Sequence, residues 1–184
     1  MKTRRHRDRA GAFTLVELLI VMSIIAILAS AGMKGWNAAN EYARRAHAHT
    51  DCLQFENGLA SYYADQFRFP KSWEGELETS GPFLTTMLGE RNEDNRRATI
   101  YFPTGRVQNN PRAHGYIIGL NQYNDPWGTP YRIRVDTDDD ESLTLPAQYA
   151  ERFGNELLGI RVFVHSAGRD RDFETIEDNV TSLD

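Results

Sequence analysis

Phe13-Thr14-Leu15-Val16-Glu17-Leu18-Leu19-Ile20-Val21-Met22-Ser23-Ile24-Ile25-Ala26-Ile27-Leu28-Ala29 is the stretch on which the fold turns. It is apolar, free of proline, and close to the roughly 20 residues that a membrane-spanning helix needs. Its one ionisable side chain, Glu17, sits near the start. A carboxylate in lipid costs about 2–4 kcal/mol unless something pairs with it, so it asks for a partner. If the chain is cut just before Phe13, the new α-amino group lies about one helical turn from Glu17. Amine and carboxylate can then neutralise each other, within one subunit or between neighbours.

The flank before this stretch is basic: Lys2, Arg4, Arg5, Arg7 and Arg9 stand against Asp8 alone. Such a flank predicts a cytoplasmic N-terminal side, with the rest of the chain outside. The whole chain has a formal net charge of −5 over 184 residues, so the part beyond the flank is strongly acidic. That gives no basic face for nucleic acid, and none is expected as a partner. The length suits one domain plus a terminal element. Cys52 is the sole cysteine, so no intrachain disulfide can form.

Gly11-Ala12-Phe13-Thr14-Leu15-Val16-Glu17-Leu18-Leu19-Ile20-Val21 resembles the class III signal of type IV pilins and type II secretion pseudopilins. The resemblance implies that a prepilin peptidase removes the basic leader and that the exposed Phe13 is N-methylated. It makes Glu17 the carboxylate that guides filament assembly. The cut falls after Ala12, with Gly11 the other candidate. Three other readings stand beside it. An ordinary secretory signal would have Met1 to Arg9 as n-region, Leu18 to Leu28 as h-region and a cut after Ala31. A signal anchor would span without processing, and a core helix would be buried. Glu17 at the mouth of the apolar run and the helical character beyond it weigh for the pilin-like reading.

From Asn37 to Tyr63 the chain is rich in Ala, Glu, Arg and Leu and lacks proline. Ala48, Cys52, Phe55, Leu59 and Tyr62/Tyr63 recur at steps of three and four, which predicts an amphipathic helix packing on a globular head. Cys52 reads as a small buried hydrophobe. Gly32 and Gly35 around Lys34 predict a weak point in the helix. Pro70 stops it and pushes Phe69 into an extended conformation. The Tyr-Tyr and aromatic-Pro ending is similar to the close of the long helix in type II major pseudopilins.

Lys71 to Asn95 reads as a loop with one short helix around Phe83 to Leu88, and Ala98 to Phe102 as a strand ended by Pro103. Thr104 to His114 is polar and reads as an exposed loop. Asn124-Asp125-Pro126-Trp127-Gly128-Thr129-Pro130-Tyr131 predicts a tight turn that buries Trp127 and Tyr131. The string also resembles a head-domain motif of the major pseudopilins. Tyr131 to Val135 and Gly159 to His165 alternate as strands, the second with Ile160, Val162 and Val164 on one face. Asp136 to Glu141 lacks the glycine and distal Glu of an EF-hand and reads as a solvated hairpin turn. Pro146 to Leu158 reads as an irregular or helical excursion.

Ser166 to Asp172 and Glu177 to Ser182 bring several hard oxygen donors together, as calcium requires. The outline is similar to the calcium loop of the pseudopilins, which implies Asp170, Asp172, Asp178 and Asn179 as ligands. Arg171 stands where that pattern has glycine, Asn179 where it has Asp, and Leu183 where it has Trp. Arg169 and Arg171 also offer ion-pair partners for a loop without metal.

No phosphate loop, CxxC pair, HExxH string or nucleophile elbow occurs. His47 and His49 lie two apart on a helix and face different ways, a poor metal pair. No enzyme is expected. The expected fold is α+β and pilin-like: a basic leader over 1–12, a transmembrane and assembly helix over 13–33, its amphipathic continuation over 34–70, and a head over 71–184 on a small antiparallel sheet. The expected function is that of a structural subunit of a type II secretion pseudopilus. Its expected partners are copies of itself in a helical filament, the prepilin peptidase, other pseudopilins and the inner-membrane assembly platform. The expected location is a single pass through the inner membrane, leader in the cytoplasm and head in the periplasm, then the pseudopilus. A type IV pilin or minor pilin is the first alternative, and the missing disulfide weighs against it. A soluble exported binding domain released after Ala31 is the second.

Overall fold

The structure, a computed structural model, describes residues 13–184 apart from Arg106, and for residues 31–34 it describes the backbone alone. The sequence-predicted leader and Ala12 therefore lie outside the described residues. One unit ends at Tyr42 and a second runs from Ala43 to Asp184. A single helix, α1 (Leu15–Gln66), contributes to both. It runs unbroken through Gly32 and Gly35, so the predicted weak point is not a break. Helix propensity on both sides absorbs the roughly 1 kcal/mol that each glycine costs.

In the first unit every described large apolar side chain of α1 is exposed, from Leu15 at 81% to Val21 at 44%. α1 is long and apolar enough to cross a membrane, and none of its apolar window is buried. In the second unit α1 is amphipathic in the expected register. Ala48, Cys52, Phe55, Leu59 and Tyr62 are buried, and Tyr63 is half-buried. The packed stripe thus begins at Ala48, later than the start of the segment assigned to it from sequence.

After α1 the chain forms β1 (Leu77–Glu78), α2 (Gly81–Met87), β2 (Val107–Gln108), β3 (Gly115–Ile117) and β4 (Gln122–Asn124). It continues with β5 (Arg132–Val135), β6 (Ser142–Thr144), α3 (Ala150–Phe153), β7 (Glu156–Leu158), β8 (Val162–Ser166) and β9 (Val180–Thr181). The main sheet has the order β1-β5-β8-β9, antiparallel throughout. A second sheet has the order β2-β3-β4, with β2 parallel to β3, and β6 pairs with β7. Helix and antiparallel sheet make this an α+β, pilin-like fold.

The core lies between the head part of α1 and the main sheet. Phe55 stacks on Phe102 with ring centroids 3.9 Å apart and meets Tyr123 edge-on. Tyr62 packs on Trp73, Phe69 and Tyr101. Burying an aromatic or aliphatic side chain of this size contributes about 1.5–3 kcal/mol. Gly58 sits in this stripe because a Cβ there would lie 2.6 Å from the Tyr101 carbonyl oxygen. β8 is buried on both faces. Val162 and Val164 join the main core as expected, while Phe163 enters a second cluster with Leu143, Leu145 and Tyr149. Ile160 precedes the strand and is half-buried.

Three local expectations differ from the structure. Ala98 to Phe102 is a loop: Tyr101 and Phe102 both donate to the Met87 carbonyl, and Asn95 accepts from Thr99, so its backbone groups are taken. Ala98 has φ 54°, which no strand tolerates. Thr104 to His114 contains β2. Asp136 to Glu141 does not join a hairpin, because β5 pairs with β1 and β8 while β6 pairs with β7.

Candidate functional site

The first candidate site is the start of α1. Thr14 precedes the helix, and the Glu17 carboxylate folds back over it. The Thr14 backbone N–H donates to Glu17 Oε2 at 2.9 Å, the Thr14 hydroxyl donates to the same oxygen at 2.8 Å, and the Glu17 N–H donates to Thr14 Oγ1 at 3.2 Å. This is a capping box, in which side chains satisfy amides the helix leaves unpaired. The Thr-x-x-Glu spacing announced it, although the sequence reading assigned Glu17 only to assembly. The carboxylate is thereby held against Thr14, the residue next to Phe13, whose side chain is exposed.

The C-terminal loop is the second site, and the Asp125 turn holds its beginning. Asp125 is buried; Oδ1 accepts from the N–H groups of Trp127 (3.0 Å) and Thr129 (2.8 Å). Oδ2 accepts from the Ser166 hydroxyl at 2.6 Å, and Ser166 Oγ in turn accepts from the Gly168 N–H at 3.1 Å. Burial pushes the Asp125 carboxyl above the usual range, and these hydrogen bonds oppose the shift. Gly168 has φ 68°, and a Cβ there would meet the Asp178 carbonyl oxygen at 2.3 Å, so the loop closes on itself at this glycine.

Of the four expected calcium ligands, Asp170 and Asp172 are exposed, Asp178 is half-buried and Asn179 is buried. Asp178 Oδ2 accepts from the Asp170 N–H at 3.0 Å, Asp170 Oδ1 from the Asp172 N–H at 2.9 Å, and Asp172 Oδ1 from the Glu174 N–H at 3.0 Å. Thr175 donates its hydroxyl to Asp170, which with the Asp172 amide holds the Asp170 carboxyl below the usual carboxylate range. Asn179 donates Nδ2 to the Tyr149 hydroxyl and to the Phe173 carbonyl, yet its Oδ1 is buried and unpartnered. A buried acceptor without a donor costs about 1–3 kcal/mol, and a hard cation would remove that cost. Arg171 has φ 64°, a left-handed conformation that glycine adopts without strain. Arg169 and Arg171 are exposed and pair with none of the loop's carboxylates among the described residues.

Asp136, Asp138 and Asp140 are, among the described residues, the three carboxylates that come within reach of one ion. Arg161 already supplies a cation there. It bonds Asp136 at 3.2 Å and Glu141 at 3.2 Å, pairs with Asp139, and lies over the Tyr63 ring at 4.4 Å.

Sequence reasoning missed Asp51, which lies in the packed stripe of α1. Its carboxylate accepts from the Tyr131 hydroxyl at 2.7 Å and lies 2.6 Å from His114 Nε2 and 3.4 Å from the Tyr123 hydroxyl. The signal was available, because Asp51 shares the three-four spacing of Ala48 and Phe55. Burial keeps the Tyr131 hydroxyl protonated well above its ordinary range, with the Asp51 charge adding to the effect. Cys52 beside it is buried, its thiol pushed up by burial, as expected of an inert packing residue.

Residues 7–33 match the family described as the prokaryotic N-terminal methylation motif. The type II secretion system core protein G of Pectobacterium carotovorum subsp. carotovorum is 32% identical over 128 residues, covering 68% of this chain and 67% of the relative. The protein of that name from Aeromonas hydrophila is 30% identical over 131 residues, covering 70% and 75%. That from Escherichia coli (strain K12) is 28% identical over 128 residues, covering 69% and 73%. No solved structure matches the chain.

Proposed function

The chain belongs to the family of type II secretion system core protein G and is a pseudopilin subunit, and from that premise we propose how it is built into a pseudopilus. The observation that carries the proposal is the row of exposed apolar side chains on α1 from Leu15 to Leu28, headed by the Glu17 capping box. An apolar helix leaves a bilayer only for another apolar environment, and bundled tails of many subunits provide one. Head-to-tail contacts of this kind are heterologous and propagate as a helical filament. Prepilin peptidase cuts after Ala12, Phe13 is N-methylated, and the free amine of one subunit meets Glu17 of its neighbour. The basic flank keeps the leader cytoplasmic and the head periplasmic. Other pseudopilins and the inner-membrane assembly platform are the partners, and the role is structural, without catalysis. N-terminal mass analysis of protein taken from its own membranes tests this reading. A start at N-methylated Phe13 supports it, and an uncut chain overturns it.

Calcium in the C-terminal loop is part of the proposal. The orphaned Asn179 Oδ1 offers a hard cation one oxygen, and Asp170, Asp172 and Asp178, whose carboxylates accept loop amides and do not converge on one point here, would have to gather round the ion. The ion would neutralise a loop that crowds acidic groups and tie it down. Binding to the folded form alone raises stability by about 2.7 kcal/mol at a hundred times the dissociation constant. A chelator is therefore expected to lower the melting temperature of the wild-type chain and leave that of Asp178→Ala unchanged. Identical wild-type melts with and without chelator would count against the site.

A further inference from the structure

His47 and Asp51 are four residues apart on α1 and share a face of it. His114 reaches that face from the segment before β3. Its Nε2 lies 2.6 Å from Asp51 Oδ2, within hydrogen-bond distance. Asp51 is itself fixed, buried and accepting from Tyr131 at 2.7 Å. Among the described residues Nδ1 of His114 has no hydrogen-bond partner, and the His114 side chain is partly exposed. The His47 ring lies with its centroid 5.8 Å from that of His114, tilted by 46°, and the residue is exposed.

This arrangement has the chemistry of a metal site. Metal-binding histidines characteristically donate their second ring N–H to a carboxylate, which fixes the tautomer and aims the other nitrogen. Two imidazoles sharing one ion at about 2.0–2.1 Å per bond have centroids about 5–6 Å apart. We propose that His47 and His114 form a binding site for a divalent transition-metal ion, with His114 ligating through Nδ1. Asp51 stands behind His114 as its positioning residue, and water completes the coordination. Imidazole nitrogens select copper, nickel or zinc over calcium, so the site is distinct in chemistry from the oxygen-lined C-terminal loop. Bound metal clips the segment between β2 and β3 onto α1.

The test uses the full chain in detergent, in a His6→Gln background that removes the leader histidine, titrated with copper(II) chloride. The expected result is one copper per chain, with an electron paramagnetic resonance spectrum showing two nitrogen ligands. His47→Gln, at an exposed position that leaves folding alone, is expected to weaken binding about tenfold or more and to remove one nitrogen. His114→Gln should do the same, whereas His49→Gln leaves affinity and spectrum unchanged. Asp51→Asn is expected to weaken binding while keeping both nitrogens, the mark of a positioning residue. Full affinity in His47→Gln, or displacement of copper by an equal concentration of calcium, would overturn the proposal.

Discussion

Glu17→Ala and Glu17→Gln are both expected to drop out of sheared pseudopili by tenfold or more while accumulating normally in the membrane. The two substitutions separate the two jobs of this carboxylate. In the capping box Glu17 accepts from the Thr14 N–H and hydroxyl, and glutamine can accept the same bonds. Alanine cannot, which costs about 0.5–2 kcal/mol locally and frays the first turn of a helix that is 52 residues long. Neither change touches the head, whose core begins at Ala48. What both remove is the charge. In a bundle of apolar tails the amine of a neighbouring Phe13 would then be left without a counter-ion, and breaking a buried pair by deleting one partner is strongly unfavourable. A tenfold loss corresponds to about 1.4 kcal/mol, well inside that range. Immunoblots of sheared filaments against the membrane pool give the ratio. Normal incorporation of Glu17→Gln would show that Glu17 acts through the cap and not through its charge.

Asp125→Ala is expected to cost about 3–5 kcal/mol of head stability. The change strips a buried acceptor from three donors at once: the Ser166 hydroxyl and the amides of Trp127 and Thr129. Ser166 and Trp127 are buried and Thr129 is half-buried, so at least two of these donors are left without water in reach. It also disconnects the Asp125 turn from the start of the C-terminal loop. Because burial raises the Asp125 carboxyl, folding through this group gains stability as pH falls through its folded value, so mild acid is no substitute for the mutation. Ser166→Ala removes a single donor and is expected to cost about 1 kcal/mol. Urea unfolding of the full chain in detergent, followed by tryptophan fluorescence, gives the comparison, since Trp127 lies in the turn itself. A loss below about 1 kcal/mol for Asp125→Ala would mean the turn is held by its aromatic packing alone.

Periodicity made the long elements legible. The stripe Ala48, Cys52, Phe55, Leu59 and Tyr62 predicted its own burial, and alternation predicted β5 and β8, because both signals are local consequences of a buried face. Pro70 marked the end of α1 within a few residues. Where the outcome depended on distant partners the sequence was silent. Ala98 to Phe102 has strand composition, yet the amides of Tyr101 and Phe102 are captured by the Met87 carbonyl, more than a dozen positions away in the chain. Asp136 to Glu141 looked like a hairpin because Arg161, which gathers its carboxylates, comes from another segment. Asp51 was passed over because a carboxylate in an apolar stripe reads as an exception until Tyr131 and His114 are seen to meet it. At Thr14 and Glu17 the Thr-x-x-Glu spacing of a capping box stood in the sequence, but Glu17 was read there only as the assembly carboxylate.

The central claim is that the apolar helix is an assembly element exposed by a cut before Phe13. Intact-mass and N-terminal analysis of the protein purified from its own membranes tests it most directly. The account predicts a chain that begins with N-methylated Phe13 and retains the whole of α1. A chain that begins at Gly32 would contradict it, because the apolar segment and Glu17 would have been discarded before any filament could form.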